Sequence, residues 1–260
     1  MFAKINYLLV LLIGVNASAM PLLTPQQLDT FAQRLWQREA SKSIAKLTSW
    51  NEGEAFPSLG IGHFIWYPAK TTGPYKETFP ELLLFLKKRN SILPAWLEKA
   101  RLSGCPWKTR AAFLDAQNTN QMNELRLLLA GTVTLQAEFV IERFLKTREA
   151  LLAAASVEHR DHVAKQFDRL AATAQGLFAL IDYVHFKGEG TQPTERYSDK
   201  GWGLLQVLQA MNDQSTDVLQ EFIAQAKKIL EQRVALSPAE KGEKRWMPGW
   251  LNRVIGYAQF

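Results

Sequence analysis

Apolar residues recur every three to four positions through most of this chain, and that period is the strongest constraint on its fold. Thr24-Pro25-Gln26-Gln27 opens the first such segment. Threonine suits an N-cap, proline suits the first turn, and glutamine three residues past the cap completes a capping box. Leu28, Phe31, Leu35 and Trp36 follow on one face, so a helix is predicted from there to about Glu39. The same spacing predicts helices over 80–89, 120–130, 135–155, 157–185, 203–212 and 217–234, with a last one around 250–257. Stripes of this kind are buried by stacking helix on helix, so the fold class is mainly α.

Residues 48–68 break the period. Pro57, Gly60 and Gly62 oppose a helix there, while Leu59, Ile61, Phe64, Ile65 and Trp66 are strand formers. A small β-hairpin lobe is therefore expected at about 48–68, which makes the class α+β with helices dominant. A second irregular stretch, 187–201, reads KGEGTQPTERYSDKG and lies between two helical segments. Loops held by helices are common places for functional groups. No repeat and no Ser/Gly/Pro-rich linker divides the chain, so residues 20–260 are expected to form a single domain.

Residues 1–19 read as a secretory signal: Lys4, an apolar run from Tyr7 to Val15, then Ala17-Ser18-Ala19. The expected location is periplasmic or secreted, with no integral membrane association after cleavage. Cys105 is the only cysteine, so no intramolecular disulfide framework is possible, and a buried small hydrophobe is the expected role. The net charge of +6 falls to +5 when Lys4 leaves with the signal. A modest basic excess on an exported chain suits an anionic partner such as cell-wall polymer. Without a dense Lys/Arg block, nucleic acid is not the expected partner. No phosphate-binding loop, dinucleotide fingerprint, zinc-finger spacing or serine-hydrolase elbow is present, so no cofactor is expected. His185 and Glu189 stand four apart, a spacing that can hold metal on one helix face. They lack companion ligands, so no metal is expected either.

Two strings carry chemistry. Glu39 ends the first predicted helix, and nineteen residues later comes Ser58-Leu59-Gly60-Ile61-Gly62-His63. This resembles phage-type lysozymes, in which a helix-end Glu is followed by an Asp and by Thr-Ile-Gly-x-Gly-His in a β-hairpin. The resemblance implies that Glu39 is the general acid and that Ser58 takes the threonine position. Asn51 or Glu52 takes that of the aspartate, and Gly60, Gly62 and His63 line a sugar cleft. Farther on, Glu189 follows a long helical segment, and seventeen residues later Gln206 stands in Gly203-Leu204-Leu205-Gln206. This is similar to goose-type lysozymes and lytic transglycosylases, with Leu205 in place of Met and Gly190 in place of Ser. That resemblance implies Glu189 as the acid and Gln206 at its supporting helix start.

Both strings imply a lysozyme-like fold and a carboxyl-catalysed glycosidase or lytic transglycosylase acting on peptidoglycan or a related amino-sugar polymer; a monomer is the expected state. Glycoside cleavage needs a protonated carboxyl at the leaving oxygen and commonly a second carboxylate. Aromatic rings offer flat faces to sugar rings. The candidates are therefore Glu39 and Glu189 for catalysis. For substrate binding they are Asn51, Glu52, Ser58, His63, Trp66, Tyr197, Trp202 and Gln206. A catalytically silent wall-binding protein on the same fold is the alternative, since fold does not fix activity.

Overall fold

A computed structural model describes residues 23–259 of the protein. The predicted signal at 1–19 lies outside the described residues. The described chain is mainly helical with a small β component.

Helix α1 spans Pro25–Ala40. Its capping box is complete: the Gln27 N–H donates to Thr24 Oγ1 at 3.2 Å, and the Thr24 N–H donates to Gln27 Oε1 at 2.9 Å. Phe31, Ala32 and Leu35 form its buried face. Ser41, in the left-handed region with φ 52°, ends it.

The stretch that broke the helical period forms a three-stranded antiparallel sheet: β1 (Thr48–Ser49), β2 (Ser58–Leu59) and β3 (Phe64–Ile65). Leu59 faces Thr48 on one side and Phe64 on the other. Its tip, residues 60–63, turns through Gly60 at φ +70°, a conformation glycine adopts without steric cost.

Helices α2 (Phe79–Lys88), α3 (Ala95–Ser103), α4 (Arg110–Asp115), α5 (Asn120–Gly131) and α6 (Val133–Leu145) follow. The side chain of Gln136 in α6 is fully buried and holds the sheet's tip. Its Oε1 accepts from the Ile61 N–H at 3.0 Å, and its Nε2 donates to the Leu129 carbonyl at 2.6 Å and to Thr132 Oγ1 at 3.0 Å. Gly60 donates to the Leu47 carbonyl at 2.8 Å. A Cβ on Gly62 would come within 2.5 Å of the Phe64 ring and 3.0 Å of Val140 Cγ2, so the Phe64 ring folded over the tip, more than α6, leaves room only for glycine there.

Two of the expected long helices are each two helices. The segment 135–155 divides into α6 and α7 (Thr147–Ala154) at Lys146. Lys146 keeps α-region angles (φ −68°, ψ −23°), so the apolar period runs across the break unchanged. The segment 157–185 divides into α8 (Val157–Ala171) and α9 (Ala174–Lys187). Here Thr173 turns extended and its side chain caps α9 by accepting from the Gly176 N–H at 3.0 Å. A Cβ on Gly176 would lie 2.2 Å from the Leu170 carbonyl oxygen, which is how closely the two helices meet.

Helix α9 is the spine of the core. Gly176 through Tyr183 are all buried, as expected of a helix surrounded by others. Asp182, 2% exposed, is the polar exception. It accepts from Arg38 of α1 at 2.8 Å, from Arg253 Nε and Nη2 at 2.8 Å each, and from the Tyr257 hydroxyl at 2.7 Å. Burial would raise its pKa, but the hydrogen bonds and charge of Arg253, with Arg38 and Tyr257, hold it below the ordinary value. The remaining elements are the two-stranded β4 (Arg196–Tyr197) and β5 (Lys200–Gly201), then α10 (Leu204–Ala210), α11 (Val218–Leu236) and α12 (Met247–Ile255). No helix among the described residues is long and apolar enough to cross a membrane.

Candidate functional site

A cleft of about 380 Å³ opens where the sheet's tip meets α6, the start of α7 and the end of α9. His63 and Gly62 form one wall, Arg143 and Thr147 another, and Val184 with His185 a third. Tyr75, Lys76 and Thr78 close its rim. Four stretches far apart in sequence therefore share one concave surface.

Neither Glu39 nor Glu189 lines this cleft, but each touches a residue that does. Glu39 sits on the last turn of α1 with its side chain 20% exposed, and its Oε2 lies 3.9 Å from His63 Nδ1. Its charge also acts on His185, whose pKa is lowered mainly by the loss of water around the ring, against the opposing pull of Glu39 and Asp182. The His185 ring is open to solvent by area and yet enclosed by protein on several sides, as a ring in a concave wall must be.

Glu189 is carried by an unusual turn. Gly188 (φ +86°) and Gly190 (φ +80°) flank it, both in backbone regions that disfavour any side chain. A Cβ on Gly188 would lie 1.6 Å from Glu195 Oε1, and one on Gly190 would lie 2.1 Å from Gln206 Oε1. The start of α10 clamps the same turn. Leu204 donates to the Gly188 carbonyl at 3.0 Å and Leu205 to the Glu189 carbonyl at 2.9 Å. From this rigid mount the Glu189 carboxylate reaches across to the cleft wall, where Oε1 accepts from Thr147 Oγ1 at 3.2 Å. α9 ends at Lys187, so Glu189 lies past the helix and shares no helical face with His185.

The other expected binding residues lie elsewhere. Trp66 is fully buried and packs on Phe79 with centroids 4.9 Å apart, so it offers no ring face to a sugar. Ser58 is buried in the centre of the sheet, and its carbonyl accepts from Ser49 Oγ at 3.2 Å. Asn51 and Glu52 are exposed on the β1–β2 connection and do not line the cleft. The Gln206 amide is spent inside the protein: Oε1 accepts from the Gly203 N–H and Nε2 donates to the Gly190 carbonyl, each at 3.0 Å. It is a clamp for the Glu189 turn rather than a group facing substrate.

Tyr197 and Trp202 pack on each other at 4.6 Å, within a cluster of rings and charges beside the cleft's supporting helices. Trp202 is buried beneath the Arg233 guanidinium, 4.0 Å from its ring. The Tyr197 hydroxyl donates to Glu243 Oε1 at 3.0 Å, and Arg233 donates to both Glu243 oxygens. Lys187 is buried in the same cluster with Nζ over the Trp250 ring at 3.0 Å, and burial brings its pKa down to about 7. Cys105 is buried too, and burial pushes its thiol up to about 12, so it is an inert thiol at neutral pH.

Sequence reasoning missed Thr147 and Arg143. Both lie in what reads as one uninterrupted helix, and the Thr147–Glu189 contact spans 42 residues, so no local pattern marks it. Compared with family models, curated proteins and solved structures, the chain matches none of them.

Proposed function

We propose that the protein is an exported glycoside hydrolase that cleaves peptidoglycan or a related amino-sugar polymer in the cleft between the sheet's tip and α6. One observation carries this reading. Glu39 and Glu189, 150 residues apart in sequence, are each one contact away from residues lining the same cleft, through His63 and Thr147 respectively.

Glu39 is assigned the proton donor because it has both cleft histidines in its surroundings. Its carboxyl proton passes to the glycosidic oxygen as the C–O bond breaks. The sugar ring carries the developing positive charge, which the Glu189 carboxylate opposes. Water then adds at the anomeric carbon and gives its proton to the Glu39 carboxylate, which restores the acid. The glycine turn matters here, because a carboxylate held by backbone that cannot relax costs no reorganisation during the reaction.

The alternative is a wall-binding protein without activity. It draws on Ser58, Asn51 and Glu52: the residues at the threonine and aspartate positions of the phage-type pattern do not line the cleft. Release of soluble fragments from purified sacculi separates the two readings. The wild type is expected to release fragments and Glu39→Gln to lower the rate by about 10²–10⁴-fold, the usual contribution of a positioned proton donor. Binding to sacculi with no release by the wild type establishes the alternative.

A further inference from the structure

Arg143 stands out among the charges of the cleft wall. Its guanidinium is half-buried and lies 5.5 Å from the Phe139 ring centroid, yet among the described residues it makes no hydrogen bond and no ion pair. Lys76, on the rim of the same cleft, behaves differently: it is paired with Glu81 at 2.8 Å. Arg253, in contrast to Arg143, is spent on Asp182, and Arg126 on the Thr48 hydroxyl and the Gln117 carbonyl. Loss of water lowers the pKa of Arg143, with Glu81 pulling the other way. An arginine does not shed its proton to escape that penalty. A half-buried fork of N–H donors with no partner in the protein is free to take a planar anion set against it.

From this geometry we infer that Arg143 is a specificity residue of the cleft, which binds a carboxylate substituent of the glycan and selects acidic amino-sugar polymers over neutral ones. The inference rests on the glycan-cleft reading above. A single negative charge is favoured over a doubly charged phosphate because, besides the two imidazoles, Arg143 is the one cation lining the cleft among the described residues that has no ion pair with a carboxylate. Its position also suits the role. Arg143 lies one helical turn before Thr147, which holds Glu189, so a carboxylate on the fork places its sugar ring beside the proposed reacting groups.

The test is calorimetric binding in a Glu39→Gln background, so that no bond is cleaved. The probes are a tetrasaccharide of N-acetylated amino sugars with carboxylates on alternate rings and the methyl ester of the same tetrasaccharide. The acid is expected to bind at least about tenfold tighter than the ester, the scale of one charge-assisted hydrogen-bonded contact. Adding Arg143→Gln removes that preference and leaves ester binding unchanged. Arg143→Lys, which keeps the charge but loses the fork, retains part of it. Salt weakens acid binding in the parent and not in Arg143→Gln. Equal binding of acid and ester, no binding of the acid, or a preference that survives Arg143→Gln overturns the inference. So does loss of ester binding in both Arg143 variants, which marks a structural role. Because these measurements do not depend on cleavage, failure to digest sacculi counts against the hydrolase reading alone.

Discussion

Two buried charges in this protein are handled in opposite ways, and each sets a different dependence on pH. Asp182 is surrounded by Arg38, Arg253 and Tyr257, so its folded pKa lies below the ordinary value. Its contribution is complete above the ordinary carboxylate pKa and disappears as pH falls through the depressed one. Asp182→Ala leaves two guanidinium groups without their partner and is expected to cost about 3–5 kcal/mol in urea unfolding at neutral pH. Lys187 has no carboxylate within hydrogen-bond reach, only ring faces at 3.0 and 4.1 Å and the charges of Arg233, Arg253 and Glu243. Its pKa falls from 10.5 to about 7, so between those values the unfolded chain holds the extra proton and folding stability rises with pH. Lys187→Met is expected to flatten that rise and to add about 1–3 kcal/mol below neutrality, part of the burial cost being offset in the native protein by the rings. Unfolding curves across that pH range check it; a mutant with an unchanged slope contradicts the placement of Lys187.

At the level of elements, helix periods were the legible part of the sequence and breaks between helices were not. The Thr24 capping box marked the start of α1 because its signal is local and reciprocal. Thr173 carries a cap of the same kind, but it sits between segments whose apolar period is continuous, so the boundary between α8 and α9 was hidden. The helices α3 and α4 were missed for a related reason: they are 9 and 6 residues long, too short to establish a period, although Thr109 caps the second. The glycine lobe was legible because Pro57, Gly60 and Gly62 exclude a helix, while its anchorage was not. That anchorage is Gln136, 75 residues away from the Ile61 N–H that it accepts from. Gln136→Leu leaves the Ile61 N–H without its acceptor and removes the donor to the Leu129 carbonyl and Thr132 Oγ1, and is expected to destabilise the protein by about 2–4 kcal/mol. It also frees the sheet's tip from α6. Hydrogen exchange at Ile61 is the direct readout, and unchanged protection there contradicts the anchoring role.

For the whole molecule, the cleft is a product of tertiary folding. Glu39 and Glu189 were legible as candidates because each stands at the end of a helical segment and precedes glycine-bearing chain, and resemblance supplied the rest. Trp66, Tyr197 and Trp202 were legible only as aromatics, and composition does not separate a ring that faces a sugar from one buried at 0% or 5% exposure, as Trp66 and Trp202 are. Arg143 and Thr147 carried no signal, since a helix face toward a cleft looks like any other polar face until its partners are placed. What the fold adds is one cleft shared by the sheet's tip, the junction of α6 with α7 and the end of α9, with Glu39 and Glu189 each in contact with one of its lining residues. The paired-carboxylate account stands or falls on the products released from purified sacculi, analysed by mass for wild type, Glu39→Gln and Glu189→Gln. It predicts fragments with a new reducing end, carrying the added water, from the wild type, and a loss of at least about 10²-fold in each variant with circular dichroism unchanged. Intact sacculi, anhydro ends in place of reducing ends, or full activity in either variant would contradict it.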